Sequence, residues 1–362
     1  MIPIAGQTDI DSIDIQALYP PKAEFELLKT EFRESILKLV PGLAPDVDDL
    51  LRRISSPNWV LEWGLPRWLG ETFQLTEDTI YHLTLANVYL LGFVRLMDDI
   101  VDDDFGESGT KIEWLSSNEG RKSVSAGQHN QQILLGTLLE HLWLQQNSKL
   151  LASSDRINKA DRLLSVFWES SLSALSEWII ATSDQERRPV HGFSDFSDED
   201  FLRMGHRFSL LKVGCVTACQ LAGREKEIPY LTKAIDQILT GVVLADEVFD
   251  WEGDLENGRY NVFIAYCSDI DQRADGKDAN ELAVLEGIYL GQKAHAFFDL
   301  VLDYLSLAEQ TAGPVSCVKF NQYIRCMQLD MRVNQANLDE EILGRMKEAS
   351  KRFVDKGIDA WR

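Results

Sequence analysis

The sequence has few of the residues that build disulfide or zinc-thiolate frameworks. Its 362 residues include five cysteines, an odd number with no Cys-x-x-Cys pair. This favours neither a disulfide framework nor a zinc ribbon and indicates a reduced, intracellular protein. The N-terminal MIPIAGQTDIDSIDIQ lacks the basic and apolar regions of a signal peptide, and the longest apolar run, ANVYLLGFVRLM, is short and carries Arg95. We therefore expect a cytoplasmic chain without a membrane span.

Basic residues are also scarce. The chain has 36 Lys and Arg against 58 Asp and Glu, a formal net charge of -22. Such a balance argues against nucleic acid or an anionic membrane as a partner. An anionic ligand would have to be held locally, by a few well-placed cations or by metal ions.

Several common metal-binding motifs are missing. The sequence contains neither His-Glu-x-x-His nor Glu-x-x-His, and its six histidines are scattered. An EF-hand register that begins at Asp271 has Gly276 in place, but Arg273 and Leu282 occupy two of the positions where ligands are needed. These absences exclude zincins, di-iron bundles and EF-hands.

Helical periodicity dominates the chain, and no series of short alternating strands is present. We predict an all-α fold: a single domain over 1–362 with about ten helices, in which 1–20 forms a disordered N-terminal segment. The polar stretch 104–128 exceeds the usual length of a connection, so it is either a functional lid or a partly disordered segment. The predicted helices cover 22–40, 44–54, 77–103, 129–147, 157–182, 197–221, 227–256, 279–307, 314–334 and 339–359.

A first acidic cluster lies in FVRLMDDIVDDDFG, at the end of the predicted helix 77–103. Because each helical residue turns by about 100°, Asp98 and Asp102 lie one above the other, with Asp99 at their flank. Leu91 and Val94 occupy the same face one to two turns earlier. The carboxylates therefore continue an apolar stripe. The acids of a solvated face would instead lie on the side of the helix opposite to that stripe.

A second acidic cluster lies in ADEVFDWEGDLENGRYNVF. Asp246, Asp250 and Asp254 stand at i, i+4 and i+8 on the predicted helix 227–256, and Leu239 and Val242 share their face. As in the first cluster, the carboxylates follow the apolar side of a helix.

Charge repulsion must be offset where acids cluster in this way. Like charges at i, i+4 destabilise a helix by about 0.2–0.5 kcal/mol per pair, and no Lys or Arg is interleaved in either cluster. Mg²⁺ fits, because it takes oxygen ligands, keeps several waters and is commonly bound by carboxylates together with substrate phosphates. The second cluster spans about 12 Å, which suits several ions around a diphosphate better than one closed site.

These residues resemble the class I isoprenoid synthases. DDIVD resembles the DDxxD motif of that family, and DEVFDWEGD is similar to the second aspartate motif of its chain-elongating members. Asp246, Asp250 and Asp254 also match the ligand spacing of the NSE motif of terpene cyclases. The resemblance implies a helical bundle around a central apolar pocket, about three Mg²⁺ ions held by both clusters, and an allylic isoprenoid diphosphate as substrate.

Departures from the family pattern favour the cyclase branch. Elongating enzymes hold a second diphosphate with a Gly-Gly-Lys-Arg stretch and an Arg pair after DDxxD. Here Arg52 and Arg53 lack the glycines, and DDDFGESGTKIEW has no arginine. The stretch LENGRYNVF, with Gly258, Asn261 and Val262, resembles the segment after the NSE motif in cyclases. The resemblance thus implies a lyase that cyclises farnesyl or geranylgeranyl diphosphate to a sesqui- or diterpene.

Two other functions stay open at this point. A chain-elongating trans-prenyl diphosphate synthase is the alternative within the same fold. A non-catalytic helical regulatory subunit, or an acidic cation-binding protein, is the alternative from another class. The sequence leaves open whether the chain forms a homodimer.

The resemblance also implies residues that hold the diphosphate. Arg207 occupies the region of the diphosphate-sensing arginine of cyclases and is assigned a catalytic role with Asp98 and Asp102. Arg203 is held in reserve. Gly214, in the same predicted helix, marks either a local break or a close helix contact. Further candidates, for each of which a surface salt bridge is the commoner role, are Lys212, Arg259 and Arg332.

Aromatic residues near the acidic clusters are candidates for the pocket wall. An aromatic face can stabilise a carbocation by cation–π contact. We therefore predict that Tyr89, Phe93 and Trp251 line the pocket, although each could equally be plain core.

Overall fold

The computed structural model describes residues 15–56, 59–102, 126–152, 157–182, 197–256, 261–268, 281–289 and 293–359. In these ranges all regular structure is helical, so the predicted all-α fold is confirmed. The α-helices are α1 (Lys22–Leu39), α2 (Ala44–Ile54), α3 (Val60–Thr72), α4 (Glu77–Asp102), α5 (Ala126–Ala152), α6 (Ile157–Thr182), α7 (Asp198–Met204), α8 (Leu211–Ala222), α9 (Ile228–Glu256), α10 (Val262–Ser268), α11 (Glu281–Tyr289), α12 (Lys293–Ala312) and α13 (Val318–Asp359).

The predicted helices differ from the structure in a few places. The helix predicted over 197–221 is interrupted between α7 and α8, and the one predicted over 279–307 is divided into α11 and α12. The two helices predicted over 314–334 and 339–359 form one continuous helix, α13. Helices α3 and α10 are not predicted by the sequence pattern, and most of the stretch 104–128 lies outside the described residues.

Helix α3 is short and carries Pro66 in its interior, so the sequence pattern does not predict it. Most of α3 is buried, as is typical of a helix in a protein core. Gly64 leaves room for the Trp68 ring, because a Cβ there would lie 2.2 Å from a ring carbon. The Trp68 indole in turn donates a hydrogen bond to the Leu18 carbonyl at 2.8 Å. Residues 15–20 belong to the described part of the chain, and the remainder of the segment predicted as disordered, 1–14, lies outside it.

Helix α4 runs through the core and packs against α5, α3 and α8. Among the described residues, its stretch Glu77–Met97 is long and apolar enough to cross a membrane, but 72% of that stretch is buried by other parts of the protein. Such burial is typical of a core helix in a globular domain.

Helices α4 and α8 are antiparallel. Asn87 of α4 lies against Gly214, where a Cβ would meet the Asn87 Oδ1 at 2.7 Å. One turn later, Leu91 shares a cavity wall with Leu211. Residue numbers thus rise along α4 as they fall along α8.

Helices α9 and α8 are also antiparallel. On α9, Asp236 forms an ion pair with Lys212, while Thr240 lies against Gly205, just before α8. Because α4 and α9 both oppose α8, they run parallel to each other. Their C-terminal ends therefore emerge at the same end of the bundle.

Candidate active site

Both predicted aspartate clusters stand at this common end of the bundle. The last two turns of α4 carry three predicted metal ligands, whose side chains lie outside the described part of the chain: Asp98, Asp99 and Asp102. The last three turns of α9 carry the other three: Asp246, Asp250 and Asp254. Of these, Asp246 is exposed and the other two are half-buried, whereas Leu239, two turns before Asp246, is 3% exposed. The stripe on α9 thus passes from core to surface where the acids begin.

An apolar cavity lies one turn below Asp98. It is lined by Trp59, Glu62, Asn87, Leu90, Leu91, Val94, Phe208 and Leu211. Val94 precedes Asp98 by one turn, about 6 Å along the axis, so the expected stripe of Leu91 and Val94 does face an internal space. The room for the centre of a water molecule is about 20 Å³, enough for about one water. The walls must separate before a prenyl chain can enter.

A 3₁₀ helix, Gly205–Phe208, interrupts the helix predicted over 197–221. Gly205 approaches α9 so closely that a Cβ would lie 2.8 Å from the Thr240 backbone nitrogen. The Ser209 hydroxyl donates a hydrogen bond to the Ser170 carbonyl of α6 at 2.8 Å. These contacts fix the break at 205–210 and not at Gly214, which instead permits the close approach of α8 to α4. A 3₁₀ segment within a helix often marks a functional hinge.

Two of the predicted diphosphate ligands, Arg207 and Lys212, lie in this break and just after it. Arg207 lies in the 3₁₀ segment next to the cavity residue Phe208, and its side chain is outside the described part. Lys212 is mostly buried and paired with Asp236, which precedes Asp246 by about 15 Å along α9. Lys212 therefore lies away from the common end, and the geometry favours Arg207.

No described contact places the remaining basic candidates at the common end of the bundle. Arg259 lies outside the described residues. Arg332 is exposed on α13. The reserve residue Arg203 is exposed and lies 3.9 Å from Asp200 on its own helix.

Asp254 is held by a hydrogen-bond network that the sequence does not reveal. The Asn261 amide donates to Asp254 Oδ2 at 2.9 Å and to the Glu247 backbone carbonyl at 2.8 Å. Asn261 Oδ1 accepts from the Ile264 amide at 3.1 Å and so caps α10. Glu247 completes the link, because its Oε2 accepts from the Val262 amide at 2.8 Å. Asn261 is fully buried, so the network anchors the end of α9 to the start of α10.

This network suits a carboxylate that binds a metal. Ligating carboxylates are commonly oriented by hydrogen bonds from outer-shell groups, and Asn261 engages Asp254 Oδ2 in this way. Among the described side chains, no group of three His, Cys, Asp or Glu is close enough to hold a metal ion. The α9 acids therefore form no closed site by themselves, in agreement with their spacing along the helix.

The predicted pocket aromatics lie elsewhere. Tyr89 is buried and stacks on Phe32 of α1 with ring centroids 5.4 Å apart, and burial raises its pKa to about 12. The Phe93 ring packs over Gly136 of α5. Positions 89 and 93 thus face α1 and α5, and neither belongs to the wall of the described cavity. Trp251 is half-buried against the core.

Among the cavity residues that the sequence pattern misses, three carry aromatic or acidic side chains: Trp59, Glu62 and Phe208. Phe208 and Trp59 supply the aromatic surface that was expected from Tyr89 and Phe93. Glu62 is half-buried in a helix that periodicity does not detect, and burial raises the pKa of its carboxyl to about 7. A single acid inside the apolar stretch WVLEWGLP is the one sequence signal that could have identified it.

Comparison with known proteins shows what fold this is. No family model and no curated protein matches the sequence. Among solved structures, a geranylgeranyl pyrophosphate synthetase from the archaeon Geoglobus acetivorans aligns over 84% of this chain and 97% of its own, with a TM-score of 0.58 and 14% identity. A decaprenyl diphosphate synthase from Rhodobacter capsulatus covers 84% and 94%, with a TM-score of 0.59 and 12% identity.

A third similar structure carries ligands. A polyprenyl synthase from Caulobacter crescentus CB15, complexed with calcium and isoprenyl diphosphate, covers 84% of this chain and 92% of its own, with a TM-score of 0.54 and 15% identity. At these identities the likeness establishes the fold alone. The chain therefore has the all-α fold of these prenyl synthases.

Proposed function

On the premise that the chain has the fold of prenyl synthases, we propose that it ionises an allylic isoprenoid diphosphate with the help of Mg²⁺. The observation that carries this proposal is the parallel course of α4 and α9, which brings two aspartate-bearing helix ends to one end of the bundle. Between them lies the 3₁₀ segment with Arg207, and below them lies an apolar cavity.

Each part has a role in the proposed reaction. Asp98 and Asp102 on one side, and the three aspartates of α9 on the other, would hold about three Mg²⁺ ions with the substrate diphosphate. Bound Mg²⁺ would offset the charge that develops on the leaving diphosphate. Arg207 would bind the same diphosphate from the 3₁₀ segment. The aliphatic wall of the cavity would exclude water from the allylic cation.

Cyclisation of a single substrate is the first candidate for the fate of this cation. The basic residues that could bind a second diphosphate are engaged locally on α2. Arg52 forms an ion pair with Asp49, three residues earlier, and Arg53 Nε lies 3.0 Å from the other Asp49 oxygen. A lyase that forms a terpene from farnesyl or geranylgeranyl diphosphate needs no second site.

Chain elongation is the other candidate, and the comparisons support it better than cyclisation. The solved structures of the same fold are named as geranylgeranyl, decaprenyl and polyprenyl synthases. In that case the chain would be a transferase that joins isopentenyl diphosphate to the allylic substrate.

We further propose a cytoplasmic homodimer. All five cysteines are free thiols, four of them buried. Helix α6 exposes an apolar stripe at i, i+4, i+8 and i+11, which supports pairing with a second copy. The exposed fractions on this stripe are Leu164 42%, Trp168 58%, Leu172 65% and Leu175 42%.

One incubation series separates these functions. Purified protein is supplied with Mg²⁺ and geranyl, farnesyl or geranylgeranyl diphosphate, each alone and each with isopentenyl diphosphate, and products are extracted into hexane. A hydrocarbon or alcohol from one allylic substrate alone supports cyclisation. Product formed only with isopentenyl diphosphate, and recovered after phosphatase treatment as a prenyl alcohol longer than that of the allylic substrate, establishes elongation. No turnover under any pairing indicates a regulatory or cation-binding protein.

A further inference from the structure

Glu62 is an acidic side chain in the wall of an otherwise mostly apolar cavity. It lies on α3 and faces the cavity together with aliphatic residues of α4 and Phe208 and Leu211. The other polar residue of the wall, Asn87, uses its amide to donate a hydrogen bond to the Glu62 backbone carbonyl at 2.6 Å. The Asn87 amide therefore holds the α3 backbone and leaves the Glu62 carboxyl to other partners.

The Glu62 carboxyl is only partly stabilised. Burial raises its pKa, a hydrogen bond from its own backbone offsets this only in part, and Oε2 is buried without a hydrogen-bond partner within the described part of the protein. The described titratable groups that interact with it are the tyrosines Tyr19 and Tyr323, and burial, together with the charge of Glu62, raises the pKa of both. A buried carboxyl oxygen that is left without a partner costs stability, which makes Glu62 a candidate for a functional role.

The depth of Glu62 indicates what that reason is. Its backbone is bonded to Asn87, which precedes Asp98 by eleven residues, about 16 Å along α4. Bond making in chain elongation takes place beside the diphosphate, so a carboxylate at this depth would contact only an inert tail. In cyclisation the positive charge moves to carbons far from the diphosphate, where a buried carboxylate can act on it.

We propose that Glu62 is the proton acceptor that ends the carbocation reaction, an inference that rests on the proposed cyclisation. The carboxylate takes a proton from the carbon next to the cationic carbon. The electron pair of the broken C–H bond becomes the second bond of the product alkene and neutralises the cation. The new carboxyl group then loses its proton to water after product release. A pKa near 7 suits this role, because a general base works best when its pKa is close to the operating pH.

Glu62→Gln tests this role, because it keeps the shape of the side chain and removes the basic oxygen. Diphosphate release and hydrocarbon composition are measured separately, with Mg²⁺ and the allylic diphosphate that the wild type consumes. We expect release within about threefold of the wild type, and at least a tenfold fall in the share of the main alkene in favour of other alkenes or alcohols. Asp330→Asn is the matched control, because Asp330 is a half-buried acid on α13 whose pKa is also raised by burial. Its product composition should equal that of the wild type.

The outcomes distinguish a failure of the proposed function from a failure of the role assigned to Glu62. If the wild type releases no diphosphate from any allylic substrate, the proposed function fails and the role of Glu62 fails with it. If the wild type turns over but Glu62→Gln gives the same products, the role of Glu62 alone is overturned.

A measurement on the wild type covers the case in which the variant does not fold. The share of the main alkene should fall as the pH is lowered through about 7, because Glu62 becomes protonated while Tyr19 and Tyr323 stay protonated throughout. A product composition that is constant between about pH 6 and 8 would overturn the inference.

Discussion

Replacing Asn261 should weaken both the fold and metal binding. Asn261→Ala removes the cap of α10 and the hydrogen bond to the Asp254 carboxylate, which are held at 3.1 and 2.9 Å. A lost cap costs about 1 kcal/mol, and a lost hydrogen bond to a charged group costs about 2 kcal/mol. We therefore expect the free energy of unfolding to fall by about 3 kcal/mol, measured by denaturant titration.

Asn261→Asp separates the two contributions. Aspartate caps a helix as well as asparagine does, so α10 should keep its cap. The new carboxylate cannot donate to Asp254, and it repels that residue. The affinity for Mg²⁺ with inorganic diphosphate, measured by calorimetry, should then fall about 10- to 100-fold in both variants, as is typical when an outer-shell group is lost.

Asn334→Ala is the control for this pair of variants. Asn334 is a buried asparagine whose amide donates to the Asp330 carbonyl on α13, remote from α9 in sequence. It should lose stability without a change in Mg²⁺ affinity. Wild-type affinity in both Asn261 variants would refute the view that Asn261 orients a metal ligand.

Three further predictions concern stability and assembly. Arg67→Met should destabilise the fold by about 1.5–3 kcal/mol in urea titrations, because the half-buried Glu24, 2.5 Å away, loses a hydrogen bond from a charged group; a loss below about 1 kcal/mol would contradict this. Because burial raises the pKa of Glu62 from 4.5 to about 7, folding stability should fall as pH rises through this interval, and thermal unfolding of Glu62→Gln should lack this fall. An equal pH dependence of folding stability in the wild type and in Glu62→Gln would refute the raised pKa of Glu62. Leu172→Glu should convert a homodimer to a monomer in light scattering, because Leu172 is 65% exposed on the α6 stripe; an unchanged mass would place the dimer interface elsewhere.

The parts of the structure that depend on local periodicity could be predicted from sequence. The apolar stripe of Leu91 and Val94 identified the cavity-facing side of α4, because residues at helical spacing share one face whatever surrounds them. The placement of the α9 acids beyond a buried stripe follows from the same rule.

The parts that depend on distant contacts could not be predicted. The break at Gly205 is set by the backbone of Thr240, 35 residues later in the sequence. Glu62 could not be identified from sequence because α3, interrupted by Pro66, is not predicted as a helix. Tyr89 and Phe93 were assigned to the pocket because of their distance from Asp98 along the chain, but helical rotation turns them toward α1 and α5.

Diphosphate release tests the central claim most directly. The wild type should release diphosphate from farnesyl or geranylgeranyl diphosphate only when Mg²⁺ is present. Asp98→Ala and Asp246→Ala, each folded by circular dichroism, should each reduce the rate at least a thousandfold, because each removes one side of the proposed metal site. Release at the wild-type rate by either folded variant, or by the wild type without a divalent metal, would contradict the account.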